Sequence, residues 1–137
     1  MAYWLIKSEP NAWSWDAMVK AGRTEWDGVR NHQAKLNLMA MRKGDRAFFY
    51  HSGEERQIVG TVEIVREAYP DDSDPTGKFV MVDVRALRPL PKPVTLAAIK
   101  ADPAFKDFGL VTFSRLSVVP VAAPHWKAIN AMGGARG

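Results

Sequence analysis

Hydrophobic positions fall into short blocks divided by polar turns, and the spacing inside each block predicts its element. Residues 3–8, Tyr-Trp-Leu-Ile-Lys-Ser, read as a buried strand stopped by Glu9-Pro10. Ser14 is placed to cap a short helix reaching Lys20, with Gly22 as its stop. A helical turn or short helix is predicted over 33–41, where Leu36, Leu38, Met39 and Met41 cluster, followed by a turn at 42–45. Residues 46–51 form a second apolar run, Ala-Phe-Phe-Tyr at its centre, with the look of a strand covered on both faces. A polar hairpin loop over 52–56 leads to a strand over 58–67, in which Gly60 predicts a bulge or a close backbone approach.

Residues 69–77, rich in Asp, Pro and Ser, are a loop, and 79–87 are a further strand. Pro89, Pro91 and Pro93 hold the chain extended until Thr95 caps a helix to Lys100. A last strand is predicted over 116–121, and Pro124 opens a helix over 124–129 that Gly133-Gly134 closes. Strands broken by short helices argue against a doubly wound parallel sheet. They fit one α+β domain over 1–137, built on a small mixed, largely antiparallel β-barrel with short flanking helices. Residues 131–137 are expected to form a flexible tail.

With 137 residues, 47% hydrophobic and 25% charged, the chain has material for one core and lies outside the disordered class. No apolar run nears the ~20 residues of a membrane-spanning helix, and no basic leader precedes an apolar segment. A soluble, cytoplasmic monomer is expected. The absence of cysteine excludes disulfides and thiolate chemistry. His32, His51 and His125 are too scattered for a metal site, and no glycine-rich phosphate loop exists, so neither metal nor cofactor is expected.

Net charge is +4, and its distribution is uneven. Residues 1–68 carry ten Lys/Arg against nine Asp/Glu, whereas 69–137 carry nine against six. Arg85, Arg88, Lys92 and Lys100 form a stretch without acids, and Arg30, Lys35, Arg42, Lys43 and Arg46 a second one opposed only by Asp45. Such stretches suit a phosphate backbone, for which Arg85, Arg88, Lys92 and Lys35 are the candidates, or belong to an ordinary basic surface. Five Trp exceed what core packing usually needs and favour a stacking site.

Three segments concentrate chemistry. Lys7-Ser8-Glu9-Pro10 puts an ammonium, a hydroxyl and a carboxylate at a strand end, where a solvated end or a cleft rim both fit. Trp26-Asp27-Gly28-Val29-Arg30-Asn31 combines an aromatic wall with donors and acceptors for a base edge. The same residues also fit Trp26 as a core plug and Arg30 paired to Asp27. Tyr50-His51-Ser52 is a polar trio beyond an apolar run, and His51 there is commonly a satisfied rim histidine. A Ser-His-Asp set from Ser8 or Ser52, His51 and Asp27 can be drawn on paper, but the nucleophile-elbow pattern is missing.

Taken in register, these strings resemble the EVE domain. Residues 3–10, 26–34 and 48–52 match its order and spacing, as do Ile58-Val59-Gly60, residues 66–71, Arg88-Pro89-Leu90, residues 93–96 and 114–118. The resemblance reaches from Tyr3 to about Ile129, includes Trp126, and is of the stand-alone bacterial kind. It implies a PUA-like fold related to YTH domains, which read a modified base swung out of a strand. On that footing the chain is a non-enzymatic module for a modified base, modified cytosine in DNA or a modified RNA base. The implied pocket comprises Ser8, Trp26, Gly28, Val29, Arg30 and Asn31, with His51, Ser52 and Arg115, and Lys7 and Glu9 beside them. Trp26 would stack on the base, backbone groups of 28–31 and the Asn31 amide would bond its edge, and Arg30 and Arg115 would meet phosphate or an exocyclic oxygen. The alternatives are a small enzyme on a modified nucleoside, with His51 or Lys7 as acid or base, and a binder of free nucleotides. Two departures from the family pattern stand out: a short loop after Tyr69-Pro70, and Thr112-Phe113 where Arg-Gln is usual.

Overall fold

In the computed structural model, which describes residues 1–135, the most hydrophobic strands lie at the centre of the sheet. β1 (Tyr3–Ser8) runs parallel to β3 (Arg46–His51), with Ile6 opposite Phe49, and antiparallel to β6 (Val118–Val121). On its other side β3 pairs with β4 (Gln57–Pro70), β4 with β5 (Val80–Thr95), and β5 with β2 (Arg23–Trp26), all antiparallel. The six strands therefore lie in the order β2-β5-β4-β3-β1-β6. This is the mixed, largely antiparallel α+β architecture expected. The sheet is open, however, because no ladder among the described residues joins β2 to β6 and closes a barrel.

Side-chain alternation sends the two halves of β1 and β3 to opposite faces, and each face has its own core. Trp4, Ile6 and Phe49 join one cluster, covered by α1 (Trp15–Ala21) through Met18 and by α2 (His32–Ala40) through Ala34 and Leu38. Leu5, Phe48 and Tyr50 join the other. That face is covered by α3 (Leu96–Lys100), a 3-10 turn (Pro103–Phe105), α4 (Gly109–Thr112) and α5 (Ala123–Met132). Covering on both sides is why 46–51 shows no polar alternation. Trp126 of α5 lies between Tyr3 and Phe48, with ring centroids 4.5 and 4.1 Å away.

Local signals place the helix ends. Ser14 accepts from Ala17 N–H at 3.1 Å, Thr95 accepts from Ala98 N–H at 3.1 Å, and Gly22 takes φ 74° to end α1. The expected tail over 131–137 begins inside α5, and Gly133 accepts a backbone bond from Lys92 at 3.0 Å. The last two positions of that expectation, 136–137, lie outside the described residues.

The proline segment is the main difference from expectation, since 88–95 belongs to β5 and pairs with β4. The reason is local: β2 covers β5 only over Val82–Arg85. Beyond Arg85 the far side of β5 is an edge without a neighbouring strand, where a missing proline N–H breaks no ladder. β2 itself went unpredicted. It is fastened by Arg23 to Asp83 at 2.9 Å, and Tyr69 donates to the same carboxylate at 2.5 Å. Burial, then that hydrogen bond, pushes the Tyr69 hydroxyl up to about 12.

Gly60 lies at a register shift between β4 and β5 and against the Trp15 ring, where an added Cβ would stand 2.6 Å from the indole. The bulge expected at this glycine is present, and what comes close is an indole ring. Gly60→Ala is predicted to cost about 1–3 kcal/mol by overpacking. Urea unfolding would show it as a lower midpoint with an unchanged slope.

Candidate functional site

Where the carboxyl end of β1 meets the end of β2, the chain leaves a cleft of about 670 Å³. Lys7, Ser8 and Glu9 come from β1 and the turn after it, and Thr24 to Trp26 come from β2. The following loop adds Asp27, Gly28, Val29 and Arg30, while Trp13 and Ser117 complete the wall. Seven of the eleven residues expected in or beside the pocket thus meet here: Lys7, Ser8, Glu9, Trp26, Gly28, Val29 and Arg30.

Trp26 is only 8% exposed and meets Phe49 edge-on at 5.5 Å, so it is a core residue whose rim borders the cleft. Trp13, not singled out by sequence, is the less buried indole of the wall. Its carbonyl accepts the Ser8 hydroxyl, so Ser8 holds the aromatic wall in place. The Lys7 ammonium donates to Ser114 O at 2.8 Å, and burial pushes its pKa below the usual lysine value.

The loop after Trp26 is held from below by Asp71. This carboxylate accepts from Gly28 N–H at 2.9 Å, Arg30 at 3.0 Å, and the Ser73 backbone and hydroxyl at 2.8 and 2.6 Å. Burial pushes the acid up, but the hydrogen bonds from Ser73, Gly28 and Arg30 outweigh it and hold it at about 2. Arg30 therefore pairs with Asp71 and not with Asp27, because Gly28, at φ 79°, turns the backbone toward the Asp71 loop. Arg30 also lies 5.5 Å from the Phe79 ring centroid, and Lys35 lies 6.0 Å from it on α2.

Several groups expected to face a ligand are engaged inside the fold. The Asn31 carbonyl oxygen caps α2, accepting from Ala34 N–H at 2.9 Å. The Gly28 N–H is taken by Asp71. His51 is buried: its Nε2 accepts from Trp15 N–H at 2.9 Å and its Nδ1 faces Glu55 at 2.9 Å, which assigns the proton to Nδ1. Ser52 donates its backbone N–H to Ser8 O. Neither His51 nor Ser52 lines the cleft.

Asn31 and Arg115 line an adjoining hollow of about 490 Å³. Of the candidate backbone cations, Arg85, Arg88 and Lys92 follow one another along β5, Arg85 paired with Glu63, while Lys35 is on α2. Glu25, which sequence reasoning missed, and Asp27, which it noted only as part of the Trp26–Asn31 segment, line the cleft, and their carboxylates make no hydrogen bond or ion pair among the described residues. No group of three metal-ligating side chains occurs among those residues, and no helix is long and apolar enough to cross a membrane.

An aromatic and polar cleft at the strand ends of a two-faced sheet has the form of a small-ligand site. The EVE-domain model matches residues 2–132, and the chain belongs to that family. Human thymocyte nuclear protein 1 is 35% identical over 88% of this chain and 68% of its own length. Rpa0253 from Rhodopseudomonas palustris superposes with a TM-score of 0.92 at 59% identity, covering 98% of this chain and 94% of that one. Human THYN1 in complex with 5-methylcytosine containing DNA superposes at 0.89 with 33% identity over 100% of both chains. A YTH domain from Zygosaccharomyces rouxii shares the fold at a TM-score of 0.59, with 19% identity over 96% of this chain and 86% of that one.

The Asp71 cluster sets an acid dependence. Its folded-state pKa of about 2 lies below the ordinary 3.8, so its bonds contribute stability fully above that value. The contribution is lost as pH falls from 3.8 toward 2. Asp71→Asn is predicted to lower the urea midpoint at neutral pH and to flatten this part of the stability–pH curve.

Proposed function

We propose that this chain is a non-enzymatic module that takes one modified base, extruded from a nucleic-acid strand, into the cleft between Trp13 and Trp26. The observation that carries the reading is the pairing of unengaged acceptors with cations across that cleft. Glu25 and Asp27 stand ready to accept from an exocyclic amine, as acidic side chains do from cytosine N4. Lys7, with one proton on Ser114, offers its others to ring nitrogens or carbonyl oxygens. The indoles supply the apolar contact that stacking and a ring methyl require. The THYN1 complex with methylated DNA supports cytosine modification as the class to test first.

Two features weigh against the alternatives. His51 has both ring nitrogens engaged inside the fold, which leaves no free acid or base at that position. A free nucleotide would bring its phosphate to a wall that carries Glu9, Glu25 and Asp27. A base presented by a strand keeps the phosphates outside.

Intrinsic tryptophan fluorescence tests the reading with matched single strands, DNA and RNA, whose central cytosine is plain or 5-methylated. The methylated strand is expected to bind about fourfold tighter, the value of one buried methyl. Asp27→Ala, at an exposed position, is expected to weaken both strands about tenfold without unfolding the protein. Equal binding of plain and methylated strands in both chemistries would refute recognition of this mark.

A further inference from the structure

One aromatic ring near the cleft is unused by either core. Phe113 follows α4 and is 64% exposed, while Phe105, Phe108 and Leu110 just before it are at most 2% exposed. Its ring borders the 490 Å³ hollow that also holds Asn31, Ser114 and Arg115. No acidic residue lines that hollow. Arg115 is exposed and makes no hydrogen bond or ion pair with any described residue.

The hollow and the cleft are lined by neighbouring residues. The Ser114 carbonyl holds the Lys7 ammonium at 2.8 Å, and Lys7 lines the cleft. Phe113 and Arg115 flank Ser114 in the chain, their Cα atoms ~3.8 Å to either side of its own. On the opposite wall Arg30 borders the cleft and its neighbour Asn31 borders the hollow. A base drawn into the cleft leaves its sugar and phosphate at this rim, and the next nucleotide has lost its stacking partner. An exposed ring with an unpaired guanidinium two residues away meets both needs, a new stacking face and a phosphate contact.

We propose that Phe113 is the stacking platform for the nucleotide next to the read base, and that Arg115 contacts the phosphate between the two. The proposal rests on the base-reading role argued above. Its occupant is the same strand, favoured by the Lys7–Ser114 bond that ties hollow to cleft and by the cationic, acid-free wall.

The test compares 5-methyl-2′-deoxycytidine, a single-stranded five-mer with central 5-methylcytosine, and the same five-mer abasic on one or the other side of it. Phe113→Ala is expected to weaken the intact five-mer about tenfold, leaving the nucleoside and the methylated-to-plain ratio unchanged. One of the two abasic five-mers should lose the same factor with wild type and nothing more with the variant. Arg115→Ala should lower the salt slope of five-mer binding by about one. Wild-type affinity of Phe113→Ala for the five-mer, or an equal loss for the nucleoside, would overturn the platform. Equal wild-type affinity for plain and methylated five-mers would overturn the base-reading role instead, and the abasic comparison would still decide the platform.

Discussion

Asp71 carries a negative charge beneath the wall of the cleft, at 2% exposure. A charge so far from water is tolerated only while its hydrogen-bond donors stay in place. Those donors belong to two separate segments, Gly28 and Arg30 on one side and Ser73 on the other. The two loops are therefore one mechanical unit. Asp74 extends it by accepting from Thr76, Lys78 and Phe79, with hydrogen bonding, Thr76 first, holding that acid well below the usual range. Phe79 then lies beside Arg30 and Lys35. What composition marks as a loop is, in this stretch, the support of the site.

Much of the fold was readable because local chemistry and burial agree. Ser14, Gly22, Thr95 and Pro124 each stand where capping rules put them. β1 and β3 announced themselves as apolar runs because both of their faces are covered. β2 did not, since only Trp26 of its four residues is buried and no apolar run marks it. The prolines of β5 misled for a different reason. Their effect on a strand depends on whether a neighbour lies on the N–H side, and that is a property of the whole sheet.

The site was legible by segment and less so by atom. Lys7-Ser8 and the Trp26–Arg30 loop were picked out by residue type, and the fold brings them together across β1 and β2. Which atom faces outward was another matter. Asn31 is both a good base reader and a good helix cap, and its carbonyl oxygen is taken by the helix that begins one residue later. His51 likewise serves the N-terminus of α1, fixed by a contact 36 residues away in sequence. Trp13 carried a usable signal: it lies in the turn directly after a strand end, where ligand sites gather. The abundance of Trp was the weaker guide, because Trp4, Trp15, Trp26 and Trp126 are all at most 8% exposed.

The position of β1 has a consequence for how the chain reaches this state. The first strand lies between β3 and β6, so one of its two edges stays unpaired until the penultimate element of the chain is in hand. Its hydrogen bonds to β6 close a loop that encompasses almost everything else, and the entropy of that closure precedes any reward. A ribosome delivering residues in order therefore holds an apolar strand with an open edge until β6 has emerged. Folding of this chain is, by topology, a late and global event, and the nascent β1 is the segment a chaperone has most reason to cover.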